Sequence, residues 1–234
     1  MGNLTVMISG AFHAPYAEVL PEFERRTGCS VTTLLGSSEG GAPDCIPERL
    51  KRGEPTDIVV MARRALDAMV MAGHVVRGSE VDLIRSKIAM AVRPGLPVPD
   101  ISTAAAFRKA MLEAKSIAYA ASVSGSYVTG EVFARLGIAD AVMPKARCIY
   151  SERVGRVLLR GEADIGFQQL SELVPIEGIV VVGTLPEELQ RVTIFSTGIA
   201  RSSADPAAAR ELIEFLASPA AHAAIARFGL EPAG

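Results

Sequence analysis

Val6-Met7-Ile8-Ser9-Gly10 is an apolar run that passes directly into a serine and a glycine. The same pattern returns at Thr33-Leu34-Leu35-Gly36-Ser37-Ser38 and at Ile117-Ala118-Tyr119-Ala120-Ala121-Ser122-Val123-Ser124-Gly125-Ser126. We expect each run to form a strand of an open α/β sheet, followed by a loop and then a helix. Such sheets bind ligands at the carboxyl ends of their strands, and small hydroxyls beside helix N-termini suit a compact anion. The pattern therefore predicts a site for a small anionic molecule.

The composition is that of an ordinary globular protein and argues against several classes of partner. Of the 234 residues, 49% are hydrophobic and 21% are charged, and the net charge is −2. Basic residues are interspersed with acidic ones, whereas nucleic-acid binding requires a clustered basic face. An aromatic content of 5% without tryptophan also disfavours base stacking. No apolar run reaches the length of a membrane span, so we expect no membrane insertion and no nucleic-acid partner.

The three cysteines, Cys29, Cys45 and Cys148, are an odd and widely spaced set. They match neither a disulfide framework nor a Cys-x-x-Cys motif, and the sequence has no His-Glu-x-x-His, Walker or Gly-x-Gly-x-x-Gly pattern. We therefore expect no metal and no other cofactor. No signal peptide is visible, since the first strand begins near Leu4. Two interpretations stay open: a periplasmic protein whose signal has been removed, or a cytoplasmic protein.

Strand and helix patterns alternate along nearly the whole chain, which is typical of parallel α/β architecture. Helices are predicted over 15–26, 44–52, 65–72, 103–114, 128–136, 206–217 and 220–227. Later strands are predicted at 57–61, 88–92, 116–120, 146–150, 164–167, 178–182 and 192–199. Two extended stretches, 83–91 and 190–200, are interpreted as crossings between two lobes. This predicts a discontinuous first lobe, 1–84 with 194–234, and a second lobe, 85–193; the alternative is one continuous sheet.

The most specific phrase of the chain is Leu50-Lys51-Arg52-Gly53-Glu54-Pro55-Thr56-Asp57-Ile58-Val59-Val60-Met61-Ala62. Together with Gly161-Glu162-Ala163-Asp164-Ile165-Gly166, it resembles the molybdate-binding periplasmic proteins of ABC transporters. The likeness covers nearly the whole chain. It implies the type II periplasmic binding fold, in which two Rossmann-like α/β lobes are joined by a two-crossing hinge and close over a ligand. It also implies ABC transporter membrane subunits as candidate partners.

Two departures from the family pattern point away from molybdate. First, the tyrosine with which the family binds its ligand aligns with Gln169, which follows Gln168. Second, a family loop of the type Ala-Pro-Tyr-Gly is replaced here by the serine-rich segment Ser122–Tyr127. Carboxamides and extra serines add directed donors and acceptors, which suit a molecule with several carboxylates. These features favour a solute-binding protein for an organic polycarboxylate. The phrases Pro43–Leu50 and Gly166–Leu173 are also similar to a branch of the family that includes bacterial aconitate isomerase, so an isomerase using the same cleft is the alternative.

Candidate ligand contacts follow from the strand ends and from the family pattern. Serines of the first two loops stand where the family binds its oxyanion, although each could instead be a turn residue or a helix cap. Arginine is the natural bidentate partner of a carboxylate, although at a helix start it can equally be a surface charge. The predicted contacts are Ser9, Gly10, Ala11, Ser37, Ser38, Arg63, Ser122, Ser124, Gly125, Ser126, Tyr127, Arg153, Gln168 and Gln169.

An isomerase would also need a general base near the proton that it removes. Histidine titrates near neutrality, so His13 in the first predicted loop is a candidate, although it also fits an ordinary first-turn residue. Glu39 in the second loop is another candidate. The segment Gly36–Gly40 matches the Gly-x-Ser-x-Gly elbow of serine hydrolases, but Gly41 and Pro43 interrupt the helix that this elbow requires. A hydrolase is therefore disfavoured.

Overall fold

The computed structural model describes residues 2–233. It divides into two compact units, which we call unit 1 (Met1–Ser86 with Thr193–Gly234) and unit 2 (Lys87–Val192). The chain passes between the units twice, and both boundaries fall inside the stretches 83–91 and 190–200 that were expected to cross. No helix within residues 2–233 is both long and apolar enough to cross a membrane.

The helices and strands alternate along both units. The strands are β1 (Asn3–Ile8), β2 (Ser30–Leu35), β3 (Ile58–Ala62), β4 (Val81–Val92), β5 (Ile117–Ala120), β6 (Ala146–Ile149), β7 (Ile165–Gln169), β8 (Val180–Thr184), β9 (Val192–Ile199) and β10 (Glu231–Pro232). The α-helices are α1 (Gly10–Thr27), α2 (Ile46–Lys51), α3 (Arg63–Met71), α4 (Ala104–Glu113), α5 (Val123–Tyr127), α6 (Phe133–Arg135), α7 (Ala139–Val142), α8 (Val154–Leu159), α9 (Leu170–Leu173), α10 (Pro206–Ala217) and α11 (Pro219–Arg227). A π-helical turn, Val128–Val132, joins α5 to α6, and short 3-10 turns cover Met143–Lys145 and Glu187–Leu189.

The sheet of unit 1 is parallel at its centre. Strands β2, β1 and β3 lie side by side in that order, and β9 runs antiparallel beside β3. All five residues of β3 are buried, as expected for an apolar strand covered on both faces. Side chains such as Met7 and Val59 pack there against Leu50 of α2 and Leu66 of α3. Because the three central strands are parallel, their carboxyl ends meet at one edge of the sheet.

Unit 2 has its own sheet, whose central strands are also parallel. Strands β6, β5 and β7 are parallel and adjacent in that order, and the second half of β4 runs antiparallel to β7 and to β8. On one face, the ring of Phe167 lies 5.8 Å from that of Phe107 and 6.4 Å from that of Phe133, measured between centroids. On the other face, Val154 and Leu158 of α8 pack on the alanines of the sheet. The carboxyl ends of β5, β6 and β7 therefore also share one edge.

Two helical stretches begin five residues earlier than the sequence predicted. Helix α1 starts at Gly10 and contains Pro15 in its interior, so the prediction that it starts at Pro15 was wrong. The helical stretch after β5 starts at Val123 rather than at 128. The physical consequence is the same at both places, because the expected loop is absent and the serine before the helix, Ser9 or Ser122, is the N-cap residue.

Candidate functional site

The carboxyl ends of β1, β2 and β3 are held together by hydrogen bonds at the serine-bearing edge of unit 1. The backbone N–H of Ser9 donates to the carbonyl oxygen of Val60 at 2.8 Å. Buried Ser38 accepts at its Oγ from the backbone N–H of Ala62, also at 2.8 Å, and this fixes the start of α3. The structure thus brings two predicted contacts, Ser9 and Ser38, onto neighbouring strand ends.

The N-terminus of α1 is the element of unit 1 best suited to an anion. Ser9 precedes this 18-residue helix in an extended conformation, and its side chain makes no capping hydrogen bond. Gly10 and Ala11 form the first turn, where the helix dipole places partial positive charge. These three predicted contacts therefore lie together on a helix start rather than in a loop, and a carboxylate is favoured there.

The hydroxyl and the carbonyl group of Ser37 both form hydrogen bonds within the segment between β2 and the start of α2. Its Oγ donates to the carbonyl oxygen of Glu39 at 2.6 Å, while its carbonyl accepts from the N–H of Ile46. The next residues of the loop, Ser38 and Glu39, line a surface pocket of about 290 Å³ whose positive charge is Arg64. Ser37 therefore shapes the loop, and its role as a ligand contact stays a prediction.

Arg63 is bound by two carboxylates of unit 1. Its Nε donates to Asp67 at 2.8 Å and its Nη1 donates to Asp82 at 2.9 Å. The hydrogen bonds that Arg63 donates to Asp82 and Asp67 raise the pKa of Arg63. Partial burial opposes ionisation of Asp82, but hydrogen bonds from Ser196 and Arg63 lower the pKa of its carboxyl. Two anions thus already compensate the cation, which makes Arg63 a weaker candidate for a ligand carboxylate than the sequence suggested.

In unit 2, the predicted loop Ser122–Tyr127 is the N-cap and the whole of α5. Ser122 and Ser124 are linked through their hydroxyls at 3.1 Å, and Ser124 is fully buried, whereas Ser126 is exposed. Tyr127 is buried, donates its phenol to the carbonyl of Leu189 at 3.0 Å and lies under the guanidinium of Arg191 at 3.9 Å. The first two serines are therefore bonded to each other, while Tyr127 packs against the segment that precedes β9.

Gln168 and Gln169 are the last two residues of β7 and both are buried. The Oε1 of Gln168 accepts from the backbone N–H of Val154, the first residue of α8, at 2.8 Å. Arg153, directly before Val154, is the N-cap residue of α8 and is half-buried. One carboxamide thus joins the end of β7 to the start of α8, where two predicted contacts, Arg153 and Gln168, lie.

Glu172 is a functional candidate that was not predicted from the sequence. Its Oε1 accepts from the Nε2 of Gln168 at 2.8 Å, and the side chain is buried in the third position of α9. Burial raises the pKa of Glu172 to about 7, against the charge of Arg153 and hydrogen bonds from Gln168 and from the backbone of Gln169. A glutamate three residues after a helix cap that bonds back to the cap is a capping-box feature. The three-residue spacing between Gln169 and Glu172 was the feature of the sequence that could have indicated this contact.

The raised pKa predicts that Glu172 makes stability depend on pH. The pKa of this carboxyl has an ordinary value of 4.5 in the unfolded chain and is about 7 in the folded one. The folded state therefore binds the proton more tightly, and stability falls as pH rises from about 5 to beyond 7. The Glu172→Gln variant has no carboxyl group to ionise at this position. As the pH is raised from 5 to 8, we therefore expect its free energy of unfolding to increase relative to that of wild type by about 2–3 kcal/mol.

Urea unfolding at those two pH values measures this difference. The matched control is Glu177→Gln, which removes the same charge from an exposed position shortly after α9. We expect the control to follow the wild-type profile. Identical pH dependence in wild type and Glu172→Gln would contradict the assignment of a raised pKa to Glu172.

The two candidate bases lie on different elements of unit 1. His13 belongs to the start of α1, not to a loop, because that helix begins at Gly10. It is partly exposed, as is Glu39, which remains in the loop between β2 and α2. Both stay predictions as catalytic residues.

Comparison with known proteins identifies the family. Residues 4–231 match the model of a family described as bacterial extracellular solute-binding protein. The chain belongs to this family. It is 45% identical over 230 residues to an aconitate isomerase from Pseudomonas sp, an alignment that covers 98% of this chain and 88% of the relative. It is 24% identical over 238 residues to the molybdate-binding protein ModA of Azotobacter vinelandii, covering 97% of this chain and 89% of that one.

The solved structure of a molybdate-binding protein confirms the fold. The periplasmic molybdate-binding protein of Azotobacter vinelandii superposes with a TM-score of 0.77 at 20% identity, covering 97% of this chain and 98% of that one. The mixed α/β architecture is that of type II periplasmic binding proteins, as the resemblance implied. The expected kinship with molybdate binders and with the branch that includes aconitate isomerase is likewise confirmed.

Proposed function

We propose that this solute-binding protein homologue is an isomerase that interconverts cis- and trans-aconitate. The observation that carries the proposal is the 45% identity to an aconitate isomerase over 98% of the chain, which includes both units. The sequence alone favours a binding protein and leaves this enzyme as the alternative. The strength of that match, compared with 24% identity to a molybdate binder, reverses the order.

The polar groups of the chain suit the chemistry of this reaction. Aconitate carries three carboxylates, and its isomerisation moves one proton from the methylene carbon to the vinylic carbon while the double bond shifts along the chain. The negative charge that develops spreads over the allylic carbons and their carboxylates. Fixed donors directed at those carboxylates lower the barrier. Ser122 and Arg153 in unit 2 are the donors that we assign to this task.

A spectrophotometric assay tests the proposal directly. Purified protein is incubated with cis-aconitate, and the approach to equilibrium with trans-aconitate is followed in the ultraviolet and checked by chromatography. In deuterated water, a proton removed by an exchangeable base is expected to leave deuterium in the product. Absence of conversion at stoichiometric protein concentration rejects the enzyme.

Arg153 is the cation from which we expect the largest contribution to substrate binding. Arg153→Ala should raise KM for cis-aconitate about tenfold to a hundredfold, because a charge-assisted hydrogen bond contributes roughly 1.5–3 kcal/mol. Initial rates over a range of substrate concentrations measure the change. The matched control is Arg156→Ala, which removes an exposed arginine one turn further along α8. If the two substitutions raised KM equally, Arg153 would be excluded as a substrate contact.

A receptor for a polycarboxylate, without turnover, is the second candidate. It is favoured by the family itself, whose description is that of an extracellular solute-binding protein. This function would place the protein in the periplasm, with ABC transporter membrane subunits as partners. Calorimetric titration with tricarballylate, the saturated analogue of aconitate, and with molybdate distinguishes the ligand classes. Tight tricarballylate binding together with no isomerisation selects the receptor, whereas preferential molybdate binding rejects both polycarboxylate functions.

A further inference from the structure

Glu172 is linked through hydrogen bonds to Gln168, a predicted ligand contact, and through it to the start of α8 beside Arg153, which we assign to the ligand site. It is bonded to Gln168 Nε2, and the other end of the same carboxamide holds the backbone N–H of Val154, next to Arg153. The carboxyl group is buried at the junction of β7, α8 and α9, where Gln168 is also only 4% exposed. A titratable group at this position senses the charge of the site without being part of its surface.

We propose that Glu172 is a proton-linked positioning residue, which takes up one proton from solvent when an anionic ligand pairs with Arg153. The inference rests on the proposed function, because it requires a polycarboxylate to bind beside Arg153. The balance is simple: one proton from the buffer becomes bound to the Glu172 carboxylate, and no other bond forms or breaks. Glu172 itself does not touch the substrate in this proposal.

The charges around Glu172 determine the direction of the effect. The elements packed against α9 are β7, β8 and α8. Neither β7 nor β8 contains a charged residue, and on α8 the charge of Arg153 acts on Glu172, whereas Arg156 is exposed. Without ligand, the positive charge of Arg153 partly offsets the burial of the carboxylate. A ligand carboxylate that neutralises Arg153 removes this support, and the buried carboxylate then becomes protonated.

The hydrogen bonds allow both protonation states. A protonated carboxyl group keeps one oxygen that accepts from Gln168 Nε2, so the carboxamide still holds the N–H of Val154. Protonation therefore changes the charge behind Arg153 while the geometry of Gln168 is retained. Because the pKa of Glu172 is about 7, its protonation changes at pH values where the ligand is ionised and the protein is folded.

Calorimetric titration with tricarballylate tests the inference, because this analogue cannot isomerise and adds no heat of reaction. Binding is measured at pH 7.5 in phosphate and in Tris, whose ionisation enthalpies differ, so the difference in heat gives the number of protons taken up. We expect uptake of about half to three quarters of a proton per site for wild type and for Glu177→Gln, and about none for Glu172→Gln. Between pH 7 and 8.5, wild-type Kd should rise by up to about tenfold per pH unit, whereas Kd of Glu172→Gln should stay constant.

The possible outcomes separate the two proposals. Tricarballylate binding with equal heats in both buffers overturns the role of Glu172 and leaves the polycarboxylate site intact. No binding of tricarballylate, with no isomerisation of aconitate, rejects the proposed function and this inference together. If Glu172→Gln does not fold, the wild-type titrations decide alone, since zero uptake from pH 7 to pH 8 contradicts the proposal.

Discussion

Gly125→Ala should destabilise the protein by about 3 kcal/mol or more and weaken ligand binding more than tenfold. A Cβ atom at this position would lie 1.8 Å from the carbonyl oxygen of Ala120 and 2.9 Å from its carbonyl carbon. Both are backbone atoms at the end of β5, so no side-chain rotation relieves the contact. The helix that carries Ser122 and Ser124 must therefore move away from the sheet, and overpacking of this kind commonly costs about 1–3 kcal/mol or more.

Gly130→Ala is the control for this substitution. Gly130 lies in the π-helical turn that follows the same helix and is exposed, and a Cβ atom added there would meet no neighbouring side chain or strand within 4 Å. We expect it to be neutral or to stabilise by up to about 1 kcal/mol, because alanine favours helices over glycine. Thermal unfolding and tricarballylate titration of both variants measure the two effects. Equal stability of the two variants would show that α5 can shift without cost.

Gly125 also illustrates how far the sequence could predict the site. A glycine among serines after a strand is typical of a ligand loop, and this pattern predicted that Gly125 contacts the ligand. The structure gives a sufficient packing reason for this glycine, which is the close approach of α5 to the end of β5. Such a contact depends on the position of a helix that the sequence placed five residues too late, so the pattern alone could not distinguish the two roles.

Strands such as β3 and the first part of β7, in contrast, were predictable because they are short buried apolar runs. The predicted strand at 192–199 and helix at 206–217 coincide with β9 and α10. Helix starts were less predictable, because Pro15 in an amphipathic segment normally marks the first turn, whereas here it lies inside α1. Partners of charged residues could not be predicted either, since Asp82 lies 19 residues from Arg63 and the pair forms only in the folded unit.

Asp57→Ala is the second substitution for which we expect a large effect, a loss of about 3 kcal/mol in the free energy of unfolding. The carboxylate of Asp57 is 7% exposed and accepts three hydrogen bonds. Its Oδ2 accepts from the N–H of Thr5 at 2.8 Å, and its Oδ1 accepts from Ser203 Oγ and from the N–H of Ala204, both at 2.9 Å. Each bond to an ionised group contributes roughly 1.5–3 kcal/mol, although bonds sharing one carboxylate are not additive.

The position of Asp57 explains why a phrase that identifies the family need not belong to the ligand site. Asp57 precedes β3 and ties the start of β1 to the segment after β9, at the edge of the unit 1 sheet opposite Ser9 and Ser38. We therefore expect Asp57→Ala to lower the urea midpoint while the folded fraction keeps the wild-type KM for cis-aconitate. Asp205→Ala, which removes one exposed helix-capping bond to Ala208, should cost only about 1 kcal/mol. A cost for Asp57→Ala no greater than for this control would contradict a structural role for the phrase, and a raised KM in folded protein would place Asp57 in communication with the ligand edge.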